Sequence, residues 1–360
     1  MNEQQILSAL SHVQDPDLKK DLVTLKMIED IRIDGKKVSF KVVLTTPACP
    51  LKNLLKKQCE EAIRKYADPY AEVEVEMTSR VTTVRKEAEE VLKEVRNIIA
   101  VGSGKGGVGK STVAVNLAVS LAKAGARVGL IDADIYGPSI PIMFGLPDHR
   151  PKGIEKNGKM MVIPFERYGV KILSIGFFVD QTKALIWRGP MASMALKQLF
   201  TDADWGALDY MVIDLPPGTG DIPLTLVQSF PLTGAIVVST PQSVAIADVR
   251  KAADMFHNDQ INIPLLGLVE NMSFFIPPDM PDKKYYVFGE SGCRKFADEL
   301  GIPLLGQIPI TSGISDSGDR GTPVVLDDSS PVTKAFRTLA ETVARQVAIH
   351  NAAKANVGVN

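Results

Sequence analysis

The stretch Gly104-Lys105-Gly106-Gly107-Val108-Gly109-Lys110-Ser111-Thr112, directly after the apolar run 97–101, constrains this chain more than anything else in it. A glycine-rich turn between a strand and a helix lets successive backbone N–H groups face phosphate oxygens, and the helix N-terminus adds positive potential. Gly104, Gly106, Gly107 and Gly109 supply that turn, with Val108 between the last two. Lys110 is expected to bridge the β- and γ-phosphates of ATP, Ser111 to offer its hydroxyl to Mg²⁺, and Thr112 to reach the α-phosphate. A second lysine, Lys105, stands where an ordinary phosphate-binding loop takes any residue, the deviant form of the Walker A motif. Lys110 already serves the phosphates of its own site. Lys105 is therefore read as a charge for the nucleotide of a facing subunit, against the plainer reading of a solvated loop lysine.

Such a loop needs a parallel sheet behind it, and the rest of the chain supplies the pattern. Apolar runs at 97–101, 127–131, 170–175, 208–213, 234–239, 264–269 and 303–308 alternate with helix-length segments, which predicts an α/β domain, a mainly parallel sheet covered by helices on both faces. A small α+β unit precedes it. It has a helix over 4–12, two strands within Met27–Leu44 joined at Asp34-Gly35, a helix over 51–66 on the stripe Leu51, Leu54, Leu55, Cys59, Ala62, Ile63 and Tyr66, and a strand from Glu72. The expected division is a front domain over 1–82, a charged linker over 83–96, the ATPase domain over 97–350 and a disordered tail over 351–360.

Forty-one basic side chains against forty-two acidic ones leave no global field for nucleic acid or an anionic membrane. Three scattered cysteines suit a reducing compartment, and the start of the chain has neither the basic residues nor the apolar run of a signal peptide; the expectation is cytoplasmic, with no membrane and no nucleic acid as partner.

Two acidic loops follow predicted strands, where ligands of such sheets collect. Asp214, opening Asp214-Leu215-Pro216-Pro217-Gly218-Thr219-Gly220-Asp221, reads as the carboxylate that holds Mg²⁺. Asp132 or Asp134 is expected to orient the attacking water or share the metal, although an aspartate after a strand also serves as a helix cap. Asn271, ending the strand 265–270, carries an amide able to pair with the edge of adenine, or acts only as a turn residue. Trp187-Arg188-Gly189-Pro190 offers an arginine for a dimer face or a phosphate, or one that packs on tryptophan.

The phosphate loop, Asp132-Ala133-Asp134-Ile135-Tyr136-Gly137-Pro138-Ser139, the Asp214 loop and Glu270-Asn271-Met272-Ser273 together closely resemble the Mrp/ApbC family of iron–sulfur cluster carrier ATPases. The front unit, with Asp15-Pro16-Asp17 and Thr45-Thr46-Pro47-Ala48-Cys49-Pro50, looks like a SufT-type iron–sulfur assembly domain. The resemblance implies a homodimer, slow or partner-dependent ATP hydrolysis, and delivery of clusters to apo iron–sulfur proteins alongside cluster-assembly proteins. It also implies a Cys-x-x-Cys pair after the Asn-Met segment, and here the chain departs: Pro277 and Met280 stand at those positions.

Cys59 and Cys293 fall on apolar helical stripes and read as core. Cys49 lies in a loop before Pro50, a good first helical residue, so a thiolate there is favoured; a cluster-ligand or thiol-transfer role and an inert loop cysteine both stand. Two rival functions remain open. One is a nucleotide-switched scaffold without its own cluster. The other is a MinD- or ParA-like positioning ATPase, which expects a basic amphipathic tail; the last predicted helix, with Phe336, Leu339, Val343 and Val347 on one stripe, has the pattern of a packing helix instead.

Overall fold

A computed structural model describes residues 1–85, 92–156, 158–178, 189–258, 261–277, 279–280 and 282–357. They form two compact units, Met1–Val84 with Ala344–Asn360, and Arg85–Val343.

The front unit follows its apolar pattern closely. Helix α1 (Glu3–Leu10) is capped by Asn2 and Gln5, each side chain bonding the other's backbone N–H. Two-residue strands β1 (Gln14–Asp15) and β2 (Lys20–Asp21) pair around the Asp15-Pro16-Asp17 turn, where the Asp15 carboxylate accepts the N–H groups of Asp17 and Leu18. Strands β3 (Ile28–Asp34) and β4 (Lys37–Leu44) form the expected antiparallel pair, turning at Gly35 with φ +58°. Helix α2 (Lys52–Tyr66) crosses back to β5 (Glu72–Ser79), which runs parallel to β4, so the unit contains a βαβ crossover. Alternate residues Val38, Phe40, Val42 and Leu44 meet Leu55, Cys59 and Ile63 in one core.

The second unit opens with β6 (Val95–Ser103), α3 (Lys110–Lys123), β7 (Val128–Asp132) and the short α4 (Ile140–Met143). A hairpin of β8 (Gly153–Lys156) and β9 (Lys159–Val162) leads to β10 (Phe165–Arg167) and β11 (Val170–Ser174). Then α5 (Gly189–Thr201), β12 (Leu208–Asp214), α6 (Asp221–Ser229), β13 (Gly234–Ser239), α7 (Ser243–His257), β14 (Leu265–Glu270), α8 (Gly292–Leu300), β15 (Leu304–Gln307), α9 (Ser312–Asp319) and α10 (Pro331–Val357) alternate to the end. Among the described residues the main sheet has the order β10-β11-β7-β12-β6-β13-β14-β15, parallel throughout except that β10 runs against β11. Every residue of β7, β12, β13 and β14 is buried; successive side chains point to opposite faces, so both faces of these strands are covered. Strand β6 sits between β12 and β13, so the loop leaving it opens at the middle of the sheet's carboxyl edge.

Two expected boundaries move. Strand β6 begins at Val95, inside the segment assigned to the linker, of which 86–91 lie outside the described residues. The tail is helical to Val357 rather than disordered, and Ala344 onward belongs with the front unit. The physical reason is a set of local ties: Arg345 pairs with Asp17, and Asn351, 2% exposed, donates to the Thr82 carbonyl at 3.0 Å. Phe336, Leu339, Val343 and Val347 are all buried, as the packing-helix reading expects.

Candidate functional site: a glycine-lined cavity and three carboxylates

Strand β6 delivers Gly104 into a position that only glycine fits, since a Cβ there would lie 2.3 Å from the Asp248 backbone carbon. Gly107 and Gly109 both adopt φ +79°, and a Cβ on Gly109 would stand 2.1 Å from Nδ2 of Asn271. Gly109 then caps α3 without a side-chain acceptor, leaving the first N–H groups of a 14-residue helix free to receive an anion. The resulting cavity, about 220 Å³, is lined by the loop backbone and by Lys105, Lys110, Ser111, Thr112 and Asp134. Lys105 is half-buried at its wall.

Behind the loop, the ends of β7 and β12 are in register, so Asp132 and Asp214 are neighbours across the parallel ladder. Lys110, 6% exposed, reaches back into this acidic floor: its Nζ lies 2.6 Å from Asp214 Oδ1, 3.5 Å from Asp134 Oδ2 and 3.3 Å from the Ser111 hydroxyl. Burial works against the charge on Lys110, but the carboxylates of Asp214, Asp134 and Asp132 outweigh it and hold its pKa above the ordinary lysine value. Asp214 is fully buried and its second oxygen has no hydrogen-bond partner. An orphaned, buried carboxylate oxygen beside a hydroxyl and a glycine-lined cavity is a donor set suited to Mg²⁺ carried in on phosphates.

The geometry separates the two aspartates that spacing alone leaves equivalent. Asp132 is spent on its own loop: Oδ1 accepts the Asp134 N–H at 3.1 Å, and Oδ2 accepts the Ile140 N–H at 3.2 Å and the Ser174 hydroxyl at 2.9 Å. Burial, helped by the adjacent Asp214 carboxylate, pushes it up to about 7. Asp134 faces the cavity, with burial raising its pKa against the pull of Lys110.

A second cavity of about 670 Å³ continues from the first, sharing Gly109, Thr112, Ser139 and Met143. Its lining is largely apolar, with Met272, Phe275 and Ile310 prominent, and Asn271 contributes its amide. Asn271 is 4% exposed and donates Nδ2 to the Val108 carbonyl at 2.8 Å, so this side chain fastens the phosphate loop as well as facing the larger cavity. Of the walls of this cavity, sequence reasoning named Gly109, Thr112 and Asn271 and missed the apolar ones. The signal was their position, since Met272 and Ile310 follow the carboxyl ends of β14 and β15.

The remaining candidates fare unequally. Trp187 and Arg188 lie outside the described residues, and Gly189 and Pro190 open α5. Pro277 and Met280 occupy a loop closed by a bridge between Phe275 and Tyr285, with the Met280 side chain 42% exposed. Cys49 is half-buried, and Pro50 does not open the helix; α2 starts at Lys52 after Leu51. No three His, Cys, Asp or Glu side chains converge as a metal-holding group among the described residues. Cys59 and Cys293 are core, as expected; burial pushes the Cys59 thiol up to about 12 and drives Cys293 higher still. A water-soluble disulfide reagent is therefore expected to titrate at most one thiol, Cys49, in the native protein and all three after denaturation; reaction of Cys59 or Cys293 at the rate of Cys49 would contradict their burial.

Comparison with known proteins follows the same division. A family described as "NUBPL iron-transfer P-loop NTPase" matches residues 94–344, and one described as "Iron-sulfur cluster assembly protein" matches residues 3–77. The chain is 46% identical over 346 residues to an iron-sulfur cluster carrier protein of Synechocystis, covering 96% of this chain and 97% of that one. It is 40% identical over 344 residues to the iron-sulfur cluster carrier protein of Escherichia coli, covering 95% and 91%. Among solved structures, a nucleotide-binding protein from Archaeoglobus fulgidus in complex with ADP superposes with a TM-score of 0.58 at 38% identity, covering 68% of this chain and 93% of that one. No helix among the described residues is long and apolar enough to cross a membrane.

Proposed function

The chain belongs to the NUBPL-type iron-transfer P-loop NTPases, and from that premise we propose that it is an ATP-hydrolysing carrier that binds iron–sulfur clusters and passes them to apoproteins. The observation that carries the nucleotide half of this reading is Lys110 held on Asp214 at the floor of a glycine-lined cavity. The Synechocystis and Escherichia coli relatives, both named as cluster carriers, support the cargo half.

Without nucleotide, Lys110 neutralises the acidic floor. When phosphates enter, Lys110 turns to the β- and γ-oxygens, the loop N–H groups of Gly106 to Gly109 take the remaining oxygens, and Asp214 and Ser111 become available to a metal ion. Mg²⁺ supplies charge neutralisation there when bound. Asp134 orients the attacking water, while Asp132 holds the loop that carries it. Asn271 meets the base with the amide oxygen left over from its bond to Val108. In a homodimer Lys105 completes the site of the facing subunit, and loss of the γ-phosphate releases the Asp134 loop, so that nucleotide state reaches the cargo-binding surface.

The cluster is cargo, and Cys49 is the thiol proposed to meet it, since Pro277 and Met280 stand where the resemblance places a Cys-x-x-Cys pair. The test is anaerobic reconstitution with iron and sulfide on the unaltered protein and Cys49→Ala, followed by iron and sulfide analysis and transfer to an apo-ferredoxin. A cluster that requires Cys49 is the expected result. Reconstitution failing on both proteins, with ATP hydrolysis intact, would turn the reading to a nucleotide-switched scaffold without its own cluster.

A further inference from the structure

A buried carboxylate lies at the far end of this site and takes no part in the chemistry above. Glu270 is the last residue of β14 and 1% exposed. Its Oε1 accepts the Ser273 hydroxyl at 2.6 Å and Gln307 Nε2 at 2.7 Å, and its Oε2 accepts the backbone N–H of Cys293 at 3.0 Å. Gln307 Nε2 also lies 3.1 Å from the Ser273 hydroxyl, closing a ring of polar groups. Three separate segments thus end on one side chain: the turn after β14, the end of β15 and the first turn of α8.

Two of these segments, the turn after β14 and the stretch leaving β15, help to build the larger cavity. Asn271 and Met272 lie between Glu270 and Ser273, and Pro309 and Ile310 follow Gln307 by two and three residues; all four line the cavity, whereas Glu270 does not. Backbone bonds continue the frame, with the Ile308 N–H on the Glu270 carbonyl and the Ser273 N–H on the Ile308 carbonyl, both at 2.9 Å. The approach of α8 is itself specified, because a Cβ on Gly292 would lie 2.0 Å from the Pro241 carbonyl oxygen. A buried carboxylate is a costly way to tie three segments when apolar packing could do so, and directional donors from each fix their relative position more sharply than packing does.

We infer that Glu270 is a positioning residue for the base end of the nucleotide site. It sets the Asn271 amide and the wall at Pro309 and Ile310, and so gives the site its preference for a nucleoside triphosphate over bare phosphate chains. This rests on the nucleotide-binding reading above.

Calorimetric titration of ATP and of inorganic tripolyphosphate, each with magnesium, tests it on the full chain. Glu270→Ala is expected to weaken ATP about tenfold, the factor for one well-placed hydrogen bond, and tripolyphosphate less than about twofold. Gln307→Ala, which removes one donor only, is expected to weaken ATP about threefold with the same selectivity. In an Asn271→Ala background, Glu270→Ala should add less than about twofold to the loss for ATP, because the two act as one unit. Equal losses for both ligands, or full additivity with Asn271→Ala, would reduce Glu270 to a stabilising residue and overturn the inference. Should Glu270→Ala fail to fold, Gln307→Ala decides by the same two ligands. Failure of the unaltered protein to bind ATP would overturn the nucleotide reading and this inference with it; an unchanged ATP affinity in both variants overturns this inference alone.

Discussion

Replacing Lys110 with methionine will abolish nucleotide binding and will also destabilise the ligand-free protein, by about 3–5 kcal/mol, the usual cost of removing one partner of a buried ion pair. The second effect follows from where the amine sits. Asp214 is fully buried with one oxygen bonded to Lys110 and the other unpartnered, Asp134 lies 3.5 Å from the same amine, and Asp132 is buried beside them. Without the lysine, three carboxylates share the floor of the site with no cation. The loss has a defined pH dependence. Asp132 is already pushed from 3.8 up to about 7, against the pull of Lys110. In that interval the folded chain binds more protons than the unfolded one, so stability falls as pH rises through it. Removing the lysine deepens this trend, and the penalty of Lys110→Met should be smaller at pH 5 than at pH 7.5. Denaturant melts at the two pH values read it directly. Adding Asp214→Asn should return much of the stability without restoring nucleotide binding; a double variant as unstable as the single one would mean that the acidic floor is not what Lys110 compensates.

The second large effect separates two glycines that the motif treats alike. Gly107 and Gly109 share φ +79°, a conformation that costs an alanine about 1–2 kcal/mol. Around Gly107 nothing lies within 4 Å of an added Cβ, whereas at Gly109 the Cβ would meet Asn271 Nδ2 at 2.1 Å. That amide cannot simply swing aside, because it is buried and bonded to the Val108 carbonyl. Gly109→Ala must therefore move the loop or the asparagine that fastens it, and kcat/KM for ATP hydrolysis is expected to fall on the order of 100-fold, as for misplacements near 1 Å. Gly107→Ala should lose about tenfold or less, the cost of the backbone alone. Steady-state assays on the two variants side by side decide it. Equal losses would show that backbone strain governs both positions and that the Asn271 contact carries no weight.

Much of the architecture lies open in the chain itself. Strands buried on both faces read as continuous apolar runs, so β6, β7, β11, β12, β13 and β14 coincide with runs visible in the sequence, and the edge strand β15 falls on one as well. The phosphate loop is equally legible, because glycines, lysine and hydroxyls at fixed spacing have few other uses. Strand β10 is not legible: Phe165-Glu166-Arg167 is three residues long, at a sheet edge, and half-buried at most. The helical end of α10 was missed because residues 351–357 are polar and alanine-rich, and their order comes from ties such as Asn351 to Thr82, 269 positions apart.

What sequence alone determined, then, is local and periodic: the βαβ alternation, the cradle for phosphates, and a near-even balance of charge. What tertiary structure decided is which of several chemically equal groups meet. Asp132 and Asp134 stand two residues apart, yet one is consumed by Ile140 and Ser174 and the other faces the cavity. Glu270, Ser273, Cys293 and Gln307 converge from three segments, and Asn271 reaches across 163 positions to the loop it holds. Periodicity reports which face of an element is buried, but the partner a polar atom finds there depends on how distant strand ends are brought into register, and that information is carried by packing.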